Sequence, residues 1–191
     1  MSTAEKLKQK YTYGDYSRWP EDERWELIEG IPHAMTAPLR IHQEIVLKVG
    51  VQIERYLQGW PCKVYLAPFD VRLPRRHEAD EEVETVVEPD IVVVCDKSKL
   101  DKKGCRGAPD WVIEVLSPAT TFRDMNVKRG LYEAHGVREY WIVHPEDRWA
   151  MVYTPNKEGR YDQPAIFNMD EPSPVAIFPD LAIDWSFMSD V

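Results

Sequence analysis

The segment PDWVIEVLSPATTFRDMNVKRGLYEAHGVREYWIV, residues 109–143, contains a strand, a helix and a second strand in that order. Its first apolar run, WVIEVL, is typical of an interior strand, and Pro118 closes it. The polar residues that follow lead into a helix predicted over residues 124–135, which Gly136 ends. The run EYWIV then predicts the second strand. We therefore expect an interior sheet with helices on its faces, which is an α/β or α+β architecture.

The same patterns predict elements elsewhere in the chain. WELIEGIPHAM, residues 25–35, predicts two short strands around a turn at Glu29 and Gly30. Apolar residues spaced by three and four predict an amphipathic helix from about residue 39 to residue 57. Further strands are predicted in CKVYLA, FDVRLP and IVVV, and a hairpin in RWAMVYT with YDQPAIF.

Length and composition indicate an ordinary globular protein. A chain of 191 residues is long enough for one well-buried domain and marginal for two, so we predict a single domain over residues 1–191. No apolar run approaches the ~20 residues that span a bilayer, and the N-terminus lacks the apolar core of a signal peptide. We therefore expect a cytoplasmic protein without membrane association.

The cysteines and the net charge bear on cofactors and partners. Cys62, Cys95 and Cys105 lack C-x-x-C spacing, so we interpret them as free thiols. The formal charge of −9 opposes nonspecific attraction to nucleic acid. Residues 96–107, DKSKLDKKGCRG, offer either a local basic rim or a solvated loop rich in lysine.

Glu114 is a carboxylate set among the apolar residues of a predicted interior strand. A buried charge must be paired, protonated or bound to a metal, because an isolated one costs several kcal/mol. Asp90 stands at the entry to IVVV, the other interior strand. If the strands are neighbours, the two carboxylates can converge on a site for a hard cation such as magnesium. Hydrolysis of a phosphate ester is the natural chemistry of such a site.

Four more residues are candidates for the same site. Asp124 and Lys128 lie at i and i+4 of the predicted helix, where they form either an ordinary surface ion pair or a group that reaches back to Glu114. His42 lies on the apolar stripe of its helix. It is either a core residue that hydrogen-bonds to a backbone carbonyl or a residue of the site. Glu26 faces either solvent or the acidic cluster.

Taken together, these elements resemble the Uma-type restriction endonuclease family of the PD-(D/E)XK nuclease superfamily. The matching elements run in the family's order from about residue 20 to residue 155, flanked by an N-terminal arm and a C-terminal strand extension. They are WELIEG, His42, EPDIVVV, WVIEVLSPAT, Asp124, Lys128 and YEAHGVREYWIVHP.

The resemblance implies a restriction-endonuclease-like core, in which helices flank a mixed central sheet. It implies a magnesium-dependent site, with manganese as a substitute, held by Asp90, Glu114 and the backbone carbonyl of Val115. The superfamily's usual lysine, two residues after the strand acid, is replaced here by Leu116. Lys128 then supplies the ammonium group from the following helix, and Glu26, His42 and Asp124 support the site.

Two functional hypotheses follow from these residues. The first is a metal-dependent endonuclease that hydrolyses phosphodiester bonds of DNA, acting as a homodimer; Phe178, Trp185 and Phe187 either supply the dimer interface or cap the sheet. The second is a catalytically inactive protein that keeps the nuclease fold as a binding or assembly module, in which Lys128 neutralises Glu114. The net charge and Leu116 favour the second hypothesis, whereas the two strand carboxylates favour the first.

Overall fold

The central sheet has six strands in the computed structural model, which describes residues 10–20, 22–75, 77–118 and 120–190. Adjacent strands are antiparallel except for Trp111–Val115 and Glu139–His144, which are parallel, so the sheet is mixed. Numbered along the chain and given in spatial order, the strands are β12 (Ala165–Asn168), β11 (Trp149–Tyr153), β10 (Glu139–His144), β9 (Trp111–Val115), β6 (Ile91–Val94) and β3 (Lys63–Leu66).

A second sheet of six strands, none longer than four residues, packs beside the first, and its assembly into a sheet was not predicted. In spatial order it contains β2 (Ile31–Ala34), β1 (Trp25–Ile28), β5 (Val86–Val87), β4 (Val71–Arg72), β8 (Gly104–Arg106) and β7 (Leu100–Asp101). The predicted turn between β1 and β2 is confirmed, because Glu29 and Gly30 both adopt the positive φ that a tight hairpin requires. A small third sheet pairs β13 (Ser173–Pro174) with β14 (Ala182–Ile183).

The predicted helices are confirmed with one difference in geometry. The long amphipathic helix is α2 (Arg40–Tyr56), and a short helix, α1 (Tyr13–Tyr16), precedes β1. The helix predicted over residues 124–135 begins as a π-helical turn, Arg123–Lys128, and continues as α3 (Arg129–His135). Single 3₁₀ turns occur at Asp80–Glu82, Lys97–Lys99 and Ser186–Asp190. Within the described ranges, none of the helices combines the length and apolar character needed to cross a bilayer.

The interior strands β6, β9 and β10 are buried on both faces, and alternate residues face different layers. Odd-numbered residues such as Trp111, Ile113 and Trp141 pack against α2 and the C-terminal segment. Even-numbered residues such as Val112 and Ile142 pack with α3 and the second sheet. Glu114 has an even number, so its position in the strand alternation directs it toward the second sheet and α3.

The interpretation of all three cysteines as free thiols is wrong for two of them. Cys62 and Cys95 form a disulfide, and only Cys105 is a buried free thiol within the described ranges. The antiparallel register of β3 and β6 pairs Lys63 with Val94, so the residues just outside this pair face each other. This proximity comes from the pairing of two strands and is invisible in the spacing of the cysteines along the chain.

The C-terminal segment closes the face of the central sheet that carries α2. Phe178 and Trp185 are buried there, so they cap the sheet and are unavailable for the dimer interface suggested for them. Glu139 of β10 attaches this segment by accepting hydrogen bonds from the backbone nitrogens of Ala176 and Ile177, at 3.1 and 2.8 Å. Burial raises the pKa of Glu139, although these hydrogen bonds stabilise the carboxylate and act to lower the pKa.

Replacing Glu139 with alanine should lower the free energy of unfolding by about 2–4 kcal/mol, because the buried indole N–H of Trp141, which donates to Glu139 Oε1 at 2.6 Å, and the two backbone nitrogens lose their acceptor. Urea denaturation followed by tryptophan fluorescence measures the effect. Glu171→Ala, at an exposed position, is the matched control and should change stability by less than about 0.5 kcal/mol. Equal stability of the two variants would contradict the attachment role of Glu139.

Candidate active site

Asp90 and Glu114 face each other across two neighbouring strands. The antiparallel pairing of β6 with β9 places Ile91 opposite Ile113, so the next residues outward, Asp90 and Glu114, share one register position. Side chains at opposed positions emerge on the same face with Cβ atoms about 5 Å apart. The backbone nitrogen of Val115 also donates a hydrogen bond to Asp90 Oδ2 over 2.7 Å. The sheet register therefore brings the two predicted ligands together.

One cavity of about 270 Å³ opens at this position. All the site residues predicted from the sequence line it: Glu26, His42, Asp90, Glu114, Val115, Asp124 and Lys128. They come from β1, α2, the start of β6, β9 and the π-helical turn. The cavity therefore lies where both sheets and two helices meet.

Lys128 is buried at the centre of three carboxylates. Its Nζ lies 2.6 Å from Glu26 Oε1, 2.8 Å from Glu114 Oε1 and 3.6 Å from Asp124 Oδ1. The alternative of an ordinary surface ion pair with Asp124 is wrong, because Lys128 and Asp124 are only 3% and 2% exposed. Burial disfavours the ammonium, but attraction by Glu114, Glu26 and Asp124 outweighs it and raises the pKa of Lys128 well above its usual value.

Glu114 has two hydrogen-bond donors within the cavity. Its Oε1 accepts hydrogen bonds from Lys128 Nζ and from the Tyr132 hydroxyl, each at 2.8 Å. Burial nevertheless raises the pKa of Glu114 well above its usual value; Lys128 opposes this rise, whereas nearby carboxylates add to it. Burial likewise raises the pKa of Asp124. One lysine therefore does not offset the acids around it.

Glu26 and His42 also face the cavity. Glu26 is 1% exposed, so the alternative that it faces solvent is wrong. Its Oε1 accepts a hydrogen bond from the backbone nitrogen of Glu88, and its Oε2 lies 3.4 Å from Arg123. His42 Nε2 lies 3.1 Å from Asp90 Oδ2, and no described residue bonds to the buried Nδ1. The alternative of a histidine satisfied by a backbone carbonyl is therefore also wrong.

The absence of a lysine at position 116 has a packing explanation. Leu116 is buried with the apolar side chains on the face of β9 that also carries Glu114. The ammonium group reaches Glu114 from the π-helical turn instead, as Lys128 Nζ. The superfamily's pattern places the lysine on the strand, whereas here the lysine belongs to the following helix.

The donor set of the cavity fits a hard divalent cation. Asp90 Oδ1 and Glu114 Oε2 accept no hydrogen bond from the described residues, so one oxygen of each carboxylate is available. Among all the described residues, no group of three His, Cys, Asp or Glu side chains is arranged to hold a metal. The protein would supply two carboxylates and the Val115 carbonyl, with water as the remaining ligands. Magnesium suits such a site because it commonly retains several waters.

Sequence reasoning missed several residues that line the cavity. Arg24 and Glu88 form an ion pair at its edge, and Arg123 lies beside Glu26. Arg123 directly precedes Asp124, and Glu88 belongs to the EPD stretch, so both had a positional signal. Arg24 had none, because its role depends on the distant Glu88.

A comparison with protein families identifies the chain's relatives. The Uma2 model, described as "Putative restriction endonuclease", matches residues 13–186. The chain belongs to the Uma2 family. The family assignment predicted from the sequence motifs is therefore confirmed.

One curated relative and one solved structure extend this result. The uncharacterized protein slr1290 of Synechocystis sp. (strain PCC 6803) is 25% identical over 149 residues, which cover 76% of this chain and 74% of that protein. The crystal structure of "a putative nuclease belonging to DUF820" from Anabaena variabilis matches with a TM-score of 0.73 at 21% identity, over 94% of this chain and 97% of that chain. The predicted mixed α+β, restriction-endonuclease-like fold is confirmed. The description of the family supports assignment to the nucleases.

Replacing Lys128 with methionine should destabilise the metal-free protein by about 3–5 kcal/mol, because buried carboxylates lose their cation. Adding Glu114→Gln should recover part of the loss, since it removes one of those charges. Urea denaturation of the parent, both single variants and the double variant at pH 7.5 gives the coupling.

The exposed Lys157→Met is the matched control for Lys128→Met and should leave stability within about 0.5 kcal/mol of the parent. If Lys128→Met is as stable as this control, the ammonium does not balance the buried acids.

Proposed function

We propose that the protein is a magnesium-dependent endonuclease that hydrolyses phosphodiester bonds of DNA. The observation that carries the proposal is the meeting of Asp90, Glu114 and Lys128 in one cavity. The family description and the nuclease neighbour support the reaction class. Asp90, Glu114 and the Val115 carbonyl would hold magnesium, or manganese in its place.

The bound cation would polarise the phosphodiester and lower the pKa of a water molecule. Lys128 would orient that water and stabilise negative charge developing on the phosphate. Its surroundings raise its pKa, so it stays protonated at neutral pH and acts through its charge. A general base would have to lose that proton, which three neighbouring carboxylates oppose.

The remaining residues would position these groups. Glu26 and Asp124 hold the Lys128 ammonium at 2.6 and 3.6 Å, and His42 holds Asp90 at 3.1 Å. Tyr132 fixes Glu114 Oε1, leaving Oε2 available within the described structure. A divalent cation would also reduce the repulsion among the buried carboxylates.

One observation favours the alternative of an inactive binding module. Lys128 already occupies Glu114 Oε1 at 2.8 Å, so the acid has a partner without a metal. The net charge of −9 further opposes DNA binding unless cations compensate it locally. The two functions differ in one property, which is metal-dependent cleavage.

Asp90→Asn and Glu114→Gln should each reduce cleavage of plasmid DNA at least about 100-fold, because the metal loses a charged ligand. Nicking is followed on agarose gels with magnesium, manganese or EDTA, and circular dichroism checks that each variant is folded. Asp147→Asn is the control, because its carboxylate is exposed and does not line the cavity. Cleavage by either site variant at the parent's rate would refute the assignment, and a parent inactive with both metals would favour the binding module.

Magnesium affinity should rise with pH, by up to about tenfold per unit for each proton released. The pKa of Glu114 is raised, so at lower pH the metal must displace a proton from the carboxyl group. Isothermal titration calorimetry at several pH values, in buffers of different ionisation enthalpy, measures both affinity and proton release. Affinity independent of pH, without proton release, would show that Glu114 is not a ligand.

A further inference from the structure

A second cavity, of about 510 Å³, adjoins the candidate active site. Arg24 and Glu88 line both cavities, so their ion pair lies at the boundary between them. The second cavity is framed by the segment around α1 on one side and by Pro68 and Asp70 on the other. A substrate bound at Asp90 and Glu114 could therefore extend past Arg24 into this space.

Aromatic side chains form one wall of the second cavity. Tyr13, Tyr16 and Trp19 all line it, and the last two are only partly buried. The ring centroids of Tyr16 and Trp19 are 5.5 Å apart. Partly exposed aromatic rings beside a nucleic-acid path are stacking surfaces for unpaired bases.

Asp70 lies in the same cavity, where the charge of Arg72 offsets only part of the cost of its burial. No Lys, Arg or His nitrogen of the described residues lies within 4 Å of its carboxylate, although Lys103 also lines the cavity. Its Oδ1 accepts a hydrogen bond from the Tyr16 hydroxyl at 3.1 Å, and Glu88 Oε1 competes for the same proton at 3.2 Å. Burial raises the pKa of Asp70 to about 6, against the hydrogen bond from Tyr16 and the charge of Arg72, and its Oδ2 accepts no hydrogen bond from the described residues.

A carboxylate in this position selects a ligand with two adjacent N–H donors. Among the four DNA bases, guanine presents that pair, N1–H and the 2-amino group, on its Watson–Crick edge. In a duplex those donors are paired with cytosine, so only an unpaired or flipped guanine could offer them. The half-exposed Lys103 and Arg24 are near enough to the cavity to meet the adjoining phosphates.

We propose that the second cavity is a nucleobase subsite for an unpaired guanine, which packs against the aromatic wall of Tyr16 and Trp19 and donates N1–H and N2–H to Asp70. The inference rests on the proposed nuclease function, because it extends the same nucleic-acid path. It predicts that the protein prefers guanine next to the cleaved bond in single-stranded or locally opened DNA.

The test measures binding without catalysis, by fluorescence anisotropy of labelled hexanucleotides in EDTA. Three probes are compared: d(TTGTTT), the same sequence with inosine in place of guanine, and d(TTTTTT). Inosine keeps N1–H but lacks the 2-amino group. The parent should bind the guanine probe about tenfold more tightly than the other two.

Asp70→Asn should abolish this preference, because the amide replaces one acceptor oxygen with a donor. Tyr16→Phe keeps the ring and removes the competing hydroxyl, so it should retain the preference and show that the cavity tolerates substitution. Asp180→Asn, at an exposed position outside the cavity lining, is the matched control and should behave as the parent.

Equal affinity of the parent for the three probes, or no binding, would overturn the subsite, as would an unchanged preference in folded Asp70→Asn. Glu114→Gln separates this inference from the proposed catalysis. It should lose metal-dependent cleavage and keep the guanine preference in EDTA. A guanine preference in a parent that never cleaves DNA would preserve the subsite and refute the nuclease.

Discussion

The buried ammonium of Lys128 links three parts of the chain that also pack together in the hydrophobic core. Its partners are Glu26 in the second sheet and Glu114 in the central sheet, while Lys128 itself lies in the π-helical turn. Charges in an apolar interior tolerate little displacement, because each must keep its counterion. The two sheets and the helix therefore share one electrostatic centre, and the cavity forms around it.

This centre also connects stability with function. The acids outnumber the lysine, and burial raises the pKa of both Glu114 and Asp124. A fold optimised only for stability would replace such a group with apolar side chains of similar volume. Retaining a costly excess of negative charge beside an open cavity is typical of sites that bind cations.

The central sheet could be predicted because its strands carry local signals. WVIEVL, IVVV and EYWIV are continuous apolar runs, and a carboxylate inside or beside such a run stands out. The short strands β5, β7 and β8 have only two or three residues, so their sequences show no periodicity. They are strands only because they pair with neighbouring strands. The second sheet was missed for this reason.

The residues of the candidate site also differ in whether a local sequence pattern reveals them. Asp90 and Glu114 could be found from single strands, but the burial of Lys128 could not, because spacing with Asp124 also describes a surface ion pair. The family resemblance supplied that assignment. The ion pair of Arg24 with Glu88 and the disulfide of Cys62 with Cys95 depend on strand pairing between distant segments, which no local pattern records.

The π-helical turn that carries Lys128 sets the direction in which this side chain leaves the helix. A π-helical turn holds more residues than an α-helical turn and is commonly a single-residue bulge within a helix. The additional residue rotates the side chains before the turn relative to those that follow it. Lys128 is the last residue of this turn and contacts Glu114, so removing one residue from the turn would change the direction of the ammonium relative to the carboxylate.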